Sequence, residues 1–269
     1  NHVISFGEFA VAGAFGSAIF SAVWEITHSI TLVKSTKTLR EEILTLRKKE
    51  KQPVKTAAYG VSVENLKVTY DEGETLTYPN FTIKPGEKVL LTGDSGTGKS
   101  TLFKALLGKI ETKCGKITYF DKESRPITNA NLGYLPQDPI VFPISIKDNI
   151  TMFVKRTEKQ LMNIINNVEL KNDLDKLPSG IDTEVNLKKN NLSGGQRQKI
   201  VLARSEIYHQ PFVLMDEVTS AIDQKATEEI ITALLKTDQT ILMIAHNFTP
   251  ELRAKFDQEI KLAKKGEEE

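Results

Sequence analysis

The first stretch of the chain is apolar over a length that suits a membrane. The segment from Phe9 to Trp24, FAVAGAFGSAIFSAVW, carries no charged residue, and the wider range 3–33 adds only two glutamates and one histidine. A helix that crosses a bilayer needs about 20 mainly apolar residues. A buried helix of a soluble protein and a signal sequence share this pattern, but no basic region precedes the segment. We therefore predict a transmembrane helix.

Helical periodicity continues beyond this segment. Apolar residues recur at helical spacing as far as Leu46, with charged residues between them in the second half. Basic residues and Pro53 then end the pattern, as expected for a linker on the cytoplasmic side of a membrane. A solvated helix face would show the same lysines. We predict a transmembrane helix with its cytoplasmic extension and linker in residues 1–52, and a second domain in residues 53–269.

The second domain has the hydrophobic pattern of an α/β fold. Segments rich in β-branched residues begin at Tyr59, and three short, nearly continuous apolar runs follow at 88–93, 211–217 and 239–246. Such runs predict central strands of a parallel sheet that is buried on both faces. Helical patterns lie between them, and residues 145–190 read as mostly helical and polar.

Composition narrows the possible functions. The 269 residues carry a formal net charge of +1, from 36 basic and 35 acidic side chains. This balance gives no broad electrostatic surface for nucleic acid, so we expect no nucleic-acid partner. The single cysteine, Cys114, allows neither an internal disulfide nor a zinc cluster of cysteines, which fits a reducing compartment.

A phosphate-binding loop follows the first apolar run. The sequence GDSGTGKS matches the pattern of a glycine, four residues and then Gly-Lys-Ser, and it lies between a predicted strand and a predicted helix. Its glycines let backbone N–H groups wrap a phosphate, and a helix N-terminus favours the anion. We predict that Lys99 contacts the β- and γ-phosphates and that Ser100 ligates magnesium. The predicted nucleotide-binding residues here are Gly93, Asp94, Ser95, Gly96, Thr97, Gly98, Lys99, Ser100 and Thr101.

Two carboxylates follow the second apolar run. Asp216 and Glu217 stand at the predicted carboxyl end of a parallel strand, the edge at which α/β sheets bind ligands. Asp216 suits the magnesium shell, and Glu217 is then available to orient or deprotonate the attacking water. Without the phosphate loop, such a pair would more often cap a helix or sit in a turn.

These motifs resemble the nucleotide-binding domains of ABC transporters. The segments GDSGTGKST, LPQD, LSGGQ, FVLMDE, SAID and TILMIAH occur in the order of that family, over residues 59 to about 250. With the apolar segment upstream, the chain resembles the C-terminal part of an ABC exporter half. The resemblance implies a P-loop NTPase cassette with a mixed central sheet and helices, an antiparallel β subdomain and a helical subdomain, preceded by a long membrane-derived helix.

The resemblance implies further site residues. Gln137 would contact magnesium or the attacking water, and His246 would contact the γ-phosphate. Tyr70 would stack on adenine, with Tyr78 as a competitor for that role. Asp223 would communicate across a dimer. Taken alone, these residues would read as ordinary turn, strand and cap residues.

Some stretches depart from the family pattern. Between Thr183 and Leu192 exporters usually carry a glycine and a glutamate, but the segment TEVNLKKNN offers Asn186 and Leu187 instead, which leaves its contact with membrane-domain loops open. Val218 stands where proline is common, and Ile222 stands where leucine is usual. Neither change removes a catalytic group.

The segment LSGGQ predicts half of a second phosphate cradle. Ser193 and Gln196 have the spacing of a capping box at the start of a helix that continues through Ile207. The glycines Gly194 and Gly195 allow close approach, and the first N–H groups of the helix would face an anion. A glycine-rich turn before an ordinary helix is the alternative. We expect a head-to-tail dimer, with a second cassette of the same or a different kind, in which this segment completes the partner's ATP site.

The sequence thus predicts an ATP- and magnesium-dependent ATPase that powers export of an unidentified substrate from the cell membrane, with its cassette in the cytoplasm. One alternative is a soluble ABC-type ATPase that acts on nucleic acid or ribosomes. Another is a partner subunit that binds ATP without hydrolysing it.

Overall fold

The computed structural model describes residues 6–47, 55–69, 75–245 and 248–263. It divides into two compact units, Asn1–Pro53 and Val54–Glu269.

The first unit contains one long helix, α1 (Phe6–Arg47). Within it, Phe9–Lys34 is long and apolar enough to cross a membrane, with 26 residues and a mean hydropathy of 1.6. The hydroxyl groups of Ser17 and Thr27 donate to the carbonyls four residues earlier in the helix, at 3.0 and 2.7 Å. Hydroxyl groups bonded within the helix in this way are compatible with an apolar solvent.

The second unit contains strands and helices in alternation, as the apolar runs predict. Its strands are β1 (Thr56–Ala57), β2 (Gly60–Thr69), β3 (Thr75–Thr77), β4 (Phe81–Ile83), β5 (Lys88–Gly93), β6 (Cys114–Phe120), β7 (Pro126–Ile127), β8 (Ala130–Asn131), β9 (Gly133–Leu135), β10 (Phe212–Asp216), β11 (Thr240–Ile244) and β12 (Gln258–Leu262). Its helices are α2 (Lys99–Leu106), α3 (Ile146–Thr151), α4 (Glu158–Asn167), α5 (Lys171–Leu174), α6 (Gly194–Tyr208), α7 (Gln224–Leu235) and α8 (Pro250–Arg253), with a 3-10 turn at Gly180–Asp182.

The central sheet is parallel and has the strand order β12-β5-β11-β10-β9. Its inner strands are buried on both faces. Along β10, Val213 and Met215 belong to one hydrophobic core, whereas Phe212 and Leu214 belong to the other. The three apolar runs therefore form the predicted central strands, and the predicted α/β class is confirmed.

The two hydrophobic cores lie on opposite faces of the central sheet, and different elements pack against each face. One contains Ile200 of α6 and Ile230 of α7, together with the buried residues of α3 and α4. The other contains Phe103 of α2 and the inward side chains of an antiparallel sheet with the order β3-β2-β6-β7, in which β4 also pairs with β2. The carboxyl ends of β5 and β10 are thereby left at one edge, where the predicted site residues follow each strand.

A buried asparagine ties the loop before α3 to α6. The Asn149 side chain accepts from the Phe142 N–H at 2.8 Å and donates to the Phe142 and Ser145 carbonyls. Arg204 of α6 then donates to the Asn149 carbonyl at 2.7 Å and to the Ile140 carbonyl at 3.0 Å. These bonds satisfy backbone groups that the irregular loop leaves without a regular partner.

Candidate nucleotide-binding site

The phosphate loop joins β5 to α2 in a tight turn. Gly98 has a φ of 89°, a left-handed conformation that glycine adopts without steric penalty. A Cβ on Gly98 would also lie 2.8 Å from the Tyr78 hydroxyl oxygen and 2.7 Å from a Leu76 methyl carbon. The Thr97 N–H and hydroxyl both donate to the Asp94 carbonyl, which closes the loop. Glycine is therefore required here by backbone geometry as well as by the phosphate pattern.

Lys99 opens α2 with its ammonium group held inside this loop. The side chain is buried, and Nζ donates to the Gly93 carbonyl at 2.6 Å and to the Asp94 carbonyl at 2.9 Å. An ammonium has three N–H donors, and two are used by these carbonyls. The third donor, at the N-terminus of a helix, is the group that a phosphate oxygen would accept from. This donor set fits a nucleotide phosphate.

Glu217 and Gln137 come together at the carboxyl end of β10. Gln137 Nε2 donates to a Glu217 carboxylate oxygen at 2.9 Å, although the two residues are 80 positions apart. The Glu217 N–H donates to the Ile244 carbonyl at 3.0 Å, and its φ of 49° turns the chain away from the strand. Two of the three predicted catalytic side chains, Gln137 and Glu217, therefore lie in contact at the carboxyl edge of the sheet.

Asp216, one residue earlier, is buried. Tyr134 on β9 donates its hydroxyl to an Asp216 carboxylate oxygen at 3.4 Å. Burial first, and then the neighbouring Asp216 carboxylate, raise the pKa of Tyr134, so the hydroxyl keeps its proton as a donor. Sequence reasoning missed Tyr134, because its position beside Asp216 depends on the parallel register that pairs Leu214 with Tyr134.

The predicted magnesium ligands are of the right chemical type. Among the residues with described positions, no group of three or more His, Cys, Asp or Glu side chains is placed to hold a metal ion. Magnesium bound through nucleotide phosphates and water needs only one or two protein carboxylates. The Asp216 carboxylate and the hydroxyl of Ser100, in the first turn of α2, offer the oxygen donors that this ion prefers.

The LSGGQ segment forms the predicted capping box at the start of α6. The Ser193 hydroxyl accepts from the Gln196 N–H at 3.1 Å, and the Gln196 side-chain oxygen accepts from the Ser193 N–H at 2.8 Å. Gln196 Nε2 also donates to an Asp173 carboxylate oxygen at 3.4 Å. The exposed N-terminus of α6 is thus held rigidly by its own side chains.

The glycines of this segment lie against Ala221 of the same chain. A Cβ on Gly195 would lie 2.7 Å from the Ala221 carbonyl oxygen, whereas a Cβ on Gly194 would lie 3.2 Å from the Ala221 methyl carbon. The close approach that these glycines allow is therefore used by the SAID segment (residues 220–223), which follows Asp216 and Glu217.

These two distances predict a difference between alanine substitutions. Alanine is favoured over glycine in a helix by about 1 kcal/mol, and by less in the first turn. At Gly195 the added methyl group meets a backbone oxygen, so we expect Gly195→Ala to lower the free energy of unfolding by about 1–3 kcal/mol. Gly194→Ala should change it by less than about 1 kcal/mol. Denaturant unfolding of both variants measures this, and equal stabilities would contradict the close approach to Ala221.

Four further residues were predicted for the site, and the structure describes two of them. Tyr70 and His246 lie outside the described residues. Tyr78, the competitor for adenine stacking, is buried. Its hydroxyl group donates to the Gly98 carbonyl at 3.0 Å, so the side chain contacts the phosphate loop itself. Asp223 caps α7 by accepting from the Ala226 N–H at 3.0 Å, and this bond is the main reason that the pKa of Asp223 is lowered.

The atypical loop at residues 183–191 is folded by its asparagines. The Asn186 side chain accepts from the Lys188 and Lys189 N–H groups at 3.1 and 3.0 Å, and the Asn191 side chain accepts from the Asn186 N–H at 2.8 Å. Leu187 is left exposed at the loop surface. The loop is therefore held by side-chain hydrogen bonds with Asn186 and Leu187 in place of the expected glycine and glutamate.

The family profile and the similar proteins found for this chain all describe ATP-binding transport proteins. A family profile described as ABC transporter matches residues 76–220. The Mesentericin-Y105 transport/processing ATP-binding protein MesD of Leuconostoc mesenteroides is 36% identical over 180 residues, which is 63% of this chain and 24% of MesD. The probable microcin-H47 secretion/processing ATP-binding protein MchF of Escherichia coli is 30% identical over 262 residues, which is 91% of this chain and 37% of MchF.

A solved structure shares the fold. The structure of a bacterial Atm1-family ABC exporter with ATP bound superposes with a TM-score of 0.69 and 24% identity, covering 86% of this chain and 43% of the exporter chain. The predicted cassette fold is thereby confirmed. The chain spans between about a quarter and two fifths of the length of these relatives. Because the family profile covers more than half of its residues, the chain belongs to the ABC transporter family of ATP-binding proteins.

Proposed function

We propose that this chain is the C-terminal part of an ABC exporter half, with the last transmembrane helix followed by an ATP-hydrolysing cassette. The observation that carries the proposal is the presence in one chain of the apolar span Phe9–Lys34 and a complete set of phosphate-loop, carboxylate and LSGGQ segments. The cassette would lie in the cytoplasm and the helix in the cell membrane. A soluble ATPase acting on nucleic acid or ribosomes has less support, because it accounts for neither the apolar helix nor the net charge of +1.

The phosphate loop would bind the nucleotide. Backbone N–H groups of residues 93–100 and the Lys99 ammonium would hold the phosphates, and Ser100 and Asp216 would hold magnesium. Magnesium, when bound, neutralises charge on the β- and γ-phosphate oxygens. Tyr134 would keep the Asp216 carboxylate in place through its hydroxyl.

The carboxylate of Glu217 would act on the attacking water. Gln137 donates to one oxygen of that carboxylate, which fixes its orientation, and the carboxylate would orient the water or take its proton. Phosphoryl transfer depends mainly on positioning and on stabilising the charge of the γ-phosphate. The contact between Gln137 and Glu217 supports hydrolysis over the alternative of a partner that binds ATP without turning it over.

Each ATP site would need two chains. The capped N-terminus of α6 presents N–H groups at the protein surface, and a phosphate loop supplies donors on one side of a nucleotide only. In a head-to-tail dimer, LSGGQ of one cassette would close on the ATP held by the phosphate loop of the other. The second cassette would be an identical or a similar chain.

Mixing two inactive variants tests this arrangement. Lys99→Ala disables the phosphate loop but leaves LSGGQ intact, and Ser193→Arg disables LSGGQ but leaves the phosphate loop intact. In a head-to-tail dimer, a mixed pair has one complete site, so an equal mixture should recover about a quarter of wild-type phosphate release.

Each variant alone, at the same total concentration in detergent micelles, is the control. Recovery on mixing supports shared sites. No recovery, with both variants folded and the wild type active, would overturn the two-chain site. A wild-type chain that binds ATP but releases no phosphate would instead favour the non-hydrolysing alternative.

A further inference from the structure

A buried glutamine joins the LSGGQ helix to the loop that follows the catalytic carboxylate. Gln198 lies in α6 and is 4% exposed. Its Nε2 donates to the Ser220 hydroxyl at 3.1 Å, and its Oε1 accepts from the Ala221 N–H at 3.0 Å. Both ends of the amide are therefore bonded to the SAID segment, across 22 and 23 positions of sequence.

The SAID segment is in turn connected tightly to Glu217. The Ser220 N–H donates to the Glu217 carbonyl at 3.0 Å, and the Ile222 N–H donates to the Thr219 carbonyl at 3.1 Å. These bonds make residues 217–222 a compact turn. A movement of the Glu217 backbone would therefore also move Ser220, to which it is hydrogen bonded within the same turn.

The same segment is packed on the LSGGQ glycines. The Ala221 carbonyl oxygen and methyl carbon approach the positions where Gly195 and Gly194 would carry a side chain. A shift of α6 relative to the SAID segment would therefore break the Gln198 bonds and disturb this packing. The two behave as one body as long as Gln198 holds them.

We propose that Gln198 is a positioning residue that couples the ATP site built on this chain's phosphate loop to the LSGGQ half-site that the same chain offers to a partner. The path runs from Gln137 to Glu217 by one hydrogen bond, from Glu217 to Ser220 by another, and from Ser220 and Ala221 through Gln198 to α6. The coupling rests on the proposed function, because it is useful only if LSGGQ completes a second site.

The chemistry at position 198 requires an amide. Glutamine supplies one donor and one acceptor at the end of a long side chain, and each has a partner in the SAID segment. Leucine has a similar volume but offers neither group. Gln198→Leu therefore removes the link while keeping the space filled, and Gln239→Leu is a matched control.

Gln239 suits the control because it is also a buried amide, 2% exposed. Its Nε2 donates to the Gln210 carbonyl at 2.7 Å, next to the amino end of β11 and away from the carboxylates. Loss of this bond would affect stability without touching the path from Glu217 to α6. Any general effect of a lost buried amide therefore appears in both variants.

Hydrogen–deuterium exchange of the whole chain in detergent micelles tests the coupling. Adding ATP and magnesium should slow exchange in residues 93–101 of the wild type and of both variants. In the wild type and in Gln239→Leu it should also slow exchange in residues 194–198 and 219–223. In Gln198→Leu we expect the ATP effect on residues 194–198 to fall by about tenfold, the size of effect for residues coupled in one hydrogen-bond network.

A second measurement separates this proposal from the proposed function. Size exclusion of the Glu217→Gln chain with ATP reports dimer formation independently of exchange. If the dimer forms but Gln198→Leu keeps the full ATP effect on residues 194–198, the role of Gln198 is overturned and the function stands. If no dimer forms but the effect is lost in Gln198→Leu alone, the two-chain site fails and the coupling within the chain stands.

Discussion

Replacing Lys99 by alanine is expected to weaken ATP binding by about 10- to 100-fold and to reduce phosphate release further. The ammonium is buried at the start of α2, where it is bonded to the Gly93 and Asp94 carbonyls and has a third donor for a phosphate oxygen. Hydrogen bonds to charged groups are stronger than neutral ones, and this lysine would make them to phosphate oxygens that carry charge. Titration with a fluorescent ATP analogue measures the affinity, and a phosphate-release assay measures the turnover.

Lys104→Ala is the matched control, because Lys104 is a lysine on the same helix whose side chain is exposed. It should keep wild-type affinity and turnover. If Lys99→Ala binds ATP as tightly as Lys104→Ala does, the assignment of residues 93–101 to the phosphates is wrong. Thermal unfolding of both variants shows whether the unsatisfied loop carbonyls have disturbed the fold.

Glu217→Gln is expected to lower hydrolysis by about 10²- to 10⁴-fold while ATP binding is kept. Glutamine has nearly the same shape as glutamate and can still accept from Gln137 Nε2 through its carbonyl oxygen, but it cannot take a proton from water. Because ATP then stays intact, the closed dimer should accumulate. Size exclusion with ATP and magnesium detects it, and single-turnover kinetics measure the chemical step.

Glu229→Gln is the control, because Glu229 is an exposed glutamate on α7. It should hydrolyse ATP at the wild-type rate. Hydrolysis by Glu217→Gln at that same rate would remove Glu217 from the catalytic role. A variant that binds ATP and stays monomeric would argue against the closed dimer.

Much of the fold could be predicted because its signals are local. The runs at 88–93, 211–217 and 239–246 are apolar on both faces, which only a sheet covered on both sides explains, and each forms a central parallel strand. The capping box of Ser193 and Gln196 is also local, since its partners are three positions apart. Periodicity and short spacing contain this information without any knowledge of the tertiary structure.

The contacts that were missed join residues far apart in sequence. Tyr134 meets Asp216 across 82 positions, through the register of two parallel strands. The close approach of Ala221 to Gly195 depends on how α6 packs beside the turn after β10. Neither the register nor the packing has a signal in the local pattern of apolar residues. The sequence therefore predicted the central strands and the capping box, but not the contacts that hold Asp216 and Gly195 in place.

The backbone of Glu217 sets folding stability against the proposed chemistry. A left-handed conformation costs a residue with a side chain about 1–2 kcal/mol relative to glycine, and Glu217 adopts it with a φ of 49°. Glycine would satisfy this turn more easily, so selection for stability alone would favour its appearance. The carboxylate proposed to act on the attacking water is thus held at a cost in folding stability, so glycine at position 217 would favour the turn while removing that carboxylate.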